Sequence, residues 1–279
     1  ILKGEKALKI FKQLGRHQEC AECLSSLAYC YSVTDDSLNV NSKKSVEYCF
    51  KALELIDIKN DSEIYASILS HLSGAYISVG KYQKAIEVAD SCIAYSDSCL
   101  KAQKRQTILY AKYSDAYSLA LHNKAMALHY QGRYLDCLTC SKTNLQFRLD
   151  TWGKTSRYAI CARNLAMVED ELGLYADSYN HFLECYNTYE KINQLSLSEM
   201  IELSCHMIYN DIKLGELFYA RPKYQYIELL VESNKLDIEK YPETYGLFLN
   251  TAVNYWLYVG DYANAFDYLY RAQDADLQD

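Results

Sequence analysis

One feature constrains this chain more than any other: a glycine that keeps returning, each time followed two residues later by tyrosine or leucine. The instances are Gly80-Lys81-Tyr82, Gly132-Arg133-Tyr134, Gly173-Leu174-Tyr175, Gly215-Glu216-Leu217 and Gly260-Asp261-Tyr262, at steps of 52, 41, 42 and 45 residues. The surroundings recur as well. Seven residues before each glycine stand Ser73, Ala125, Ala166, Ile208 and Val253. Five after stand Ala85, Cys137, Ser178, Ala220 and Ala265, all small, and twelve after stand Cys92, Asn144, Cys185, Ile227 and Ala272. Two helices joined by a tight turn approach closely only where the facing residues are small. A glycine ends the first helix because it adopts left-handed backbone without a Cβ clash. The register therefore predicts antiparallel helical hairpins, with the aromatic after each turn starting the return helix and plugging the hairpin.

Composition agrees with an all-helical chain. Only 2 of the 279 residues are proline, so few positions forbid a helix interior. The balance of 29 basic to 36 acidic residues, net charge −7, argues against a nucleic-acid surface. No apolar run reaches the roughly 20 residues of a membrane span; Tyr245 to Gly260 is shorter and holds Asn250 and Asn254. The start has apolar residues at helical spacing and no signal-peptide pattern. Eleven cysteines, an odd number without regular spacing, do not form a disulfide framework. Cys20/Cys23 and Cys137/Cys140 have CxxC spacing but fall inside helical stretches, so they read as small apolar residues and not as a zinc site. Reduced thiols point to a cytoplasmic setting.

The small residue, aromatic, glycine turn and later alanines of ISVGKYQKAIEVADSCI, YWLYVGDYANAFDYLYRA and YAICARNLAMVEDELGLYADSYNHFLECYNTYEK resemble the tetratricopeptide repeat. The period near 42 is similar to the longer variant of kinesin light chains. The resemblance implies an all-α, right-handed α-α superhelix, a solenoid of about six hairpins over residues 1–279. Its repeats fall at about 1–17 (second helix only), 18–59, 62–99, 107–149, 156–192, 197–236 and 242–276. At the N-terminus Leu24, Leu27, Ala28 and Tyr31 fit a first helix, Ser45, Cys49 and Ala52 a second, with an expanded turn from Val33 to Lys43. Ala7, Phe11 and Leu14 fit a preceding second helix. Arg221-Pro222 predicts a late or kinked second helix after Gly215, and Asp170 and Glu171 depart from the pattern's apolar positions. A lone second helix at the start, and the stop at Asp279 just after another second helix with no polar capping helix, read as a piece of a longer array, since terminal repeats usually carry polar caps.

In this family partners bind the concave surface lined by first helices, which implies a groove here. Ten, nine and six residues before the glycines stand His71, His122, Asn123, Met126, Arg163, Asn164, Met167, His206, Tyr209, Asn250 and Asn254, the candidate lining. Asparagine offers both a donor and an acceptor, suited to the amides of an extended peptide. Alanine at Asn123 and Asn164 is expected to weaken binding with little change in melting temperature. His71, His122, His129 and His206 fall on first helices but complete no ligand set, so no metal or cofactor is expected. The carboxylate clamp of chaperone-binding members is not assembled, leaving a neutral or amphipathic peptide or protein as the expected partner. Phosphate loop, GxSxG and HExxH motifs are missing, so no enzyme is expected. The rival reading is an input module of a larger signalling protein, a histidine kinase, transcriptional regulator or CHAT protease. Its covalently linked effector domain would lie outside these residues, and that reading also leaves open an extracytoplasmic sensor region of a membrane protein.

Overall fold

The computed structural model describes residues 1–34, 40–105, 107–233 and 235–276. Among them are thirteen α-helices and no strand. These are α1 (Leu2–Gln13), α2 (His17–Ser32), α3 (Val40–Leu53), α4 (Ser62–Ser78), α5 (Tyr82–Ala102), α6 (Ile108–Tyr130) and α7 (Tyr134–Trp152). They are followed by α8 (Ser156–Glu171), α9 (Tyr175–Lys191), α10 (Leu197–Leu214), α11 (Leu217–Glu232), α12 (Pro242–Val259) and α13 (Tyr262–Asp276). The fold is the all-α solenoid of tetratricopeptide type. The chain forms two compact units, Ile1–Phe147 and Arg148–Asp279.

All five recurring glycines have positive φ, and each closes its hairpin with the same pair of backbone bonds. At Gly80, φ is 71°; its N–H donates to the Ile77 carbonyl at 2.9 Å and the Lys81 N–H to the Tyr76 carbonyl at 2.8 Å. This is the Schellman arrangement, which satisfies carbonyls left over at a helix end. Two further turns use it without belonging to the glycine–aromatic register. Gly15 closes α1 onto α2, and Asn193 (φ 54°) follows α9, with Gln194 N–H donating to Tyr189 at 2.9 Å. Asparagine is the side chain that best tolerates this backbone after glycine.

Within the first unit α1, α3 and α5 pack on the even-numbered helices beside them, and α2, α4 and α6 lie side by side. The second unit repeats this with α9 against α8 and α10, and α10 beside α12. The small positions are where the helices close. Ala85, Cys137, Ser178, Ala220 and Ala265 are all buried, as are Ser73, Ala125, Ala166 and Ile208. Cys92 is fully enclosed, its thiol 3.3 Å from the Ala66 carbonyl. Both CxxC pairs lie within helices, on α2 and α7, and all eleven cysteines are free thiols. The first unit is built around Leu24, Ala28, Cys49, Ile68 and Leu72. The second has Ile201, Ile208, Tyr224, Ile227, Phe248 and Leu249 at its centre.

Three local expectations change, and a fourth lies outside the described residues. The helix after Gly215 begins at Leu217 despite Pro222, which sits within its second turn, so no late start occurs. Tyr134 and Tyr262 are exposed and do not plug their hairpins. On α1 the buried residue is Leu8, and Leu14 projects outward, because the helix ends at Gln13. The expanded turn between α2 and α3 falls largely on residues 35–39, outside the described residues.

Candidate peptide-binding grooves

In the first unit α2, α4 and α6 run side by side, and two cavities open on that layer. One, of about 450 Å³, is lined by His71, Gly74, His122, Asn123 and Met126 together with Tyr29, Tyr82, Tyr130, Val33, Ile77 and Leu119. Its walls are aromatic: Tyr82 stacks on Tyr130 with ring centroids 5.1 Å apart, and Tyr29 tilts against His71 at 5.3 Å. Burial favours the neutral imidazole, pushing His71 down to about 4 and lowering His122. The Ser25 hydroxyl meets His71 Nδ1 at 2.8 Å, fixing the ring.

The second cavity, of about 300 Å³, lies along the same helices and also touches His71. Here Glu22, Glu63 and Asp115 surround Lys112, whose ammonium reaches Glu22 at 3.4 Å and Glu63 at 3.6 Å. Sequence reasoning missed this acidic stretch, though a signal existed: Glu63 and Asp115 each stand 17 residues before their glycines.

In the second unit a cavity of about 230 Å³ is lined by His206 and Tyr209 of α10, Asn250 and Asn254 of α12, and Asp170, Cys205, Ile212, Leu247 and Thr251. His206 stacks nearly parallel on Phe182, centroids 4.5 Å apart. Burial, with the Arg163 charge adding to it, pushes His206 down to about 4. Asp170 lies 4.0 Å from His206 Nδ1, yet burial raises its pKa too. Both groups are driven toward neutrality, so the contact is a polar one and not a strong ion pair. Asn254 donates to the Asn250 carbonyl at 2.8 Å and to its Oδ1 at 3.1 Å, an i−4 pairing that sets the two amides together on one face.

The eleven candidates thus divide. His71, His122, Asn123 and Met126 share one cavity, and His206, Tyr209, Asn250 and Asn254 another. Arg163, Asn164 and Met167 of α8 line neither; Met167 is exposed and the other two are half-buried. Asn123 does more than line a wall. Its amide nitrogen donates to the Ser70 carbonyl and to Ser73 Oγ, both at 2.8 Å, tying α6 to α4. Gly74 makes room for it, since a Cβ there would come within 3.3 Å of that nitrogen. A role in packing is therefore built into Asn123, and the expected insensitivity of stability to Asn123→Ala does not follow.

One residue of the grooves escaped sequence reasoning for a physical reason. Tyr82 reads as a hairpin plug but forms a groove wall, because its ring turns toward Tyr130 of the next first helix. Outside the grooves, Glu169, which the register does not single out, is fully buried on α8, its carboxylate 2.7 Å from His181 Nδ1.

This arrangement of hairpins is a fold of tetratricopeptide type. Solved structures are alike in fold, among them proteins whose names give tetratricopeptide repeats. BtubC (BKLC) from P. vanneervenii matches with a TM-score of 0.64 and 13% identity, over 88% of this chain and 92% of that one. A signal transduction ATPase with numerous domains from Pyrococcus horikoshii, bearing a tetratricopeptide repeat sensor, gives a TM-score of 0.68 and 16% identity. That likeness covers 99% of this chain but 39% of the larger protein. The tetratricopeptide-like repeats of a putative kinesin light chain from Podospora anserina match at a TM-score of 0.58 and 13% identity, over 79% and 99% of the two chains. No protein-family model and no curated protein matches the sequence. Among the described residues no helix is long and apolar enough to cross a membrane.

Proposed function

We propose that this chain is a non-catalytic scaffold that binds an extended, neutral to amphipathic segment of another protein against the first helices of its hairpins. The supporting observation is convergence. Eight residues picked out by register alone gather, four and four, into one cavity in each unit. The chemistry of the walls sets the ligand class. Tyrosine, methionine and leucine supply apolar contact, while asparagine amides and imidazoles kept neutral by burial supply hydrogen bonds without net charge. Tyrosine is suited to such a wall, with a broad apolar ring and a polar tip. The repeat units are the hairpins α2–α3, α4–α5, α6–α7, α8–α9, α10–α11 and α12–α13, with α1 as a lone second helix.

The test is selection of binding peptides from a random library displayed on phage, followed by affinity measurement. Met126→Glu and Tyr209→Glu each place a carboxylate in one cavity. Peptides selected on the parent chain are expected to lose at least about tenfold in affinity for one of these variants, as an unpaired charge at an interface costs several kcal/mol. Peptides that bind both variants as well as the parent would overturn the assignment.

A second reading is favoured by one comparison. The likeness to the repeat sensor of the Pyrococcus horikoshii ATPase extends over almost the whole chain. In that reading the same grooves receive the signal for an effector domain in the same polypeptide. Occupancy of the groove would then change the activity of the longer gene product, which an assay of that product with and without selected peptide decides.

A further inference from the structure

The cavity around Lys112 differs in chemistry from the others. Glu22 of α2, Glu63 of α4 and Asp115 of α6 place one carboxylate on each of the three side-by-side first helices. Among the described residues that line the cavity, Lys112 is the one cation, since burial keeps His71 neutral at pH 7. Three carboxylates against one ammonium leave a net charge of −2. Lys112 does not use them up. Its ammonium stands 3.4 Å from Glu22 and 3.6 Å from Glu63, against about 2.7–2.9 Å for a well-formed ionic hydrogen bond. Its side chain is also 44% exposed, where such pairs contribute little. The second unit's cavity, by comparison, holds a single carboxylate, Asp170.

The acidic cavity does not stand alone. His71 and Leu119 border both it and the tyrosine-walled cavity, so the two are neighbouring parts of one groove. One part is anionic. The other is apolar, with Tyr29, Tyr82, Tyr130 and Met126 and no charged side chain among the described residues that line it. A bare metal ion does not suit the anionic part. Among the described residues no three ligating side chains come close enough to hold one, and Lys112 would repel it. A lysine or arginine side chain does suit it, because its methylene stem can pack along Leu119 while its charged end reaches the carboxylates. A cleft lined by one sign of charge also concentrates the opposite sign.

We propose that the first unit's groove selects a segment of another protein that carries a lysine or arginine beside an apolar residue. The cation is held by Glu22, Glu63 and Asp115, and the apolar side chain by the tyrosine walls. This rests on the groove reading above and narrows it, from an amphipathic segment to one with a basic anchor. Lys112 is then a weak internal competitor, a cation of the chain's own that the ligand's cation displaces. Attraction between partly exposed charges is screened by salt, so the affinity falls as ionic strength rises.

The experiment takes peptides selected on the parent chain from the random library and measures their affinities by titration calorimetry. Each is compared with an isostere in which lysine is replaced by norleucine and arginine by citrulline, so that shape is kept and charge removed. Peptides that lose affinity for Met126→Glu are expected to contain a basic residue, and their neutral isosteres to bind at least about tenfold more weakly. Glu63→Gln is expected to weaken the basic peptides at least about threefold and Lys112→Gln to strengthen them, with the isosteres indifferent to both. Isosteres that bind as well as the basic peptides would overturn the proposal while the groove stands. A loss of affinity with Lys112→Gln would do the same, because it would make Lys112 the anchor and the ligand an anion. A Glu63→Gln loss shared equally by the isosteres would leave Glu63 a structural role and reject the anchor too. If no selected peptide responds to Met126→Glu, the first unit's groove itself fails, and the basic anchor with it.

Discussion

The two compact units are built from the same hairpin, yet they stitch their helices together with different chemistry. In the first unit the cross-helix bonds are mostly neutral. Asn123 reaches Ser70 and Ser73, Ser118 donates to Asn144 at 2.6 Å, and Ser45 donates to the Ala28 carbonyl at 2.6 Å. Its Glu5–Lys44 ion pair, joined by the Tyr31 hydroxyl, sits where the ionic side chains are about a third exposed. In the second unit ionisable groups are enclosed. Glu169 pairs with His181, Asp211 accepts from Lys223 at 2.9 Å, and Glu228 accepts from both Tyr224 and Tyr268 at 2.8 Å. The frame of small residues and turns fixes how close helices come, but it leaves open what joins them. A neutral bond broken in the first unit strands one weak partner, whereas a buried ion pair broken in the second strands a charge.

That contrast can be broken directly by substitution, and the largest effect is expected at the pair of Glu169 with His181. Replacing His181 with Ala takes that partner away from the Glu169 carboxylate, which is fully buried. Loss of a buried pair's partner costs about 3 to 5 kcal/mol. Asn123→Ala, the matching cut in the first unit, is expected to cost about 1 to 3 kcal/mol through the loss of its two bonds to α4, at the Ser70 carbonyl and Ser73 Oγ. Urea denaturation of both variants ranks them, and an equal or inverted ranking would dissolve the distinction between the units.

Overpacking should by contrast treat the two units alike. Ala85 and Ala265 occupy the same register position and are both buried. Leucine at either is expected to destabilise by about 1 to 3 kcal/mol. A melting curve unchanged at one of them would mean that its hairpin is not closed by the shared frame.

Acid sharpens the comparison at smaller scale. The Glu169 hydrogen bond raises the pKa of His181 above its usual 6.5, so its stabilisation is present below pH 6.5 and is lost as pH rises through the raised value. Burial lowers His71, to about 4, and His122, so their contribution is present above pH 6.5 and lost as pH falls from there toward about 4. His206 follows His71 in direction. Comparing urea midpoints at pH 7 and pH 5, His71→Gln is expected to shrink the loss on acidification and His181→Gln to enlarge it. Midpoints that move together in both variants would show that the two imidazoles share one environment.

The smallest effect should come from the turns. At Gly80 an added Cβ meets no atom within 4 Å, so Gly80→Ala reports on the left-handed backbone alone. It is expected to cost about 1 to 2 kcal/mol, read as a drop in melting temperature. No drop would mean that the backbone there does not need its positive φ.

Much of the fold was legible because its determinants are local. A glycine that must reverse the chain and an alanine that must let two helices touch leave their mark at fixed offsets in the sequence, and those offsets located the turns and the buried small positions. Gly15 escaped because His17, and not tyrosine or leucine, stands two residues later, and Asn193 escaped because it is an asparagine where the register looks for glycine, although Leu195 follows it at the right offset. The site was legible in part. Register brought out which first-helix residues share a face, and eight of the eleven line cavities.

What the sequence could not decide is where a polar side chain ends once a neighbouring helix is in place. Asn123 has its amide turned onto α4 because Gly74 leaves room there, a fact about two helices and not one. Tyr82 became a groove wall because Tyr130 of the following first helix offered its face for stacking. Glu169 went inside because His181, twelve residues on and across the turn, could meet its carboxylate. By itself the sequence determined the helices, their turns and the register at which they close, since each depends on backbone and side-chain volume within one hairpin. Only the tertiary structure decided which polar groups are used up in holding the hairpins together and which remain to line a groove. Hydrogen bonds and burial are properties of pairs of surfaces, and the second surface comes from another part of the chain.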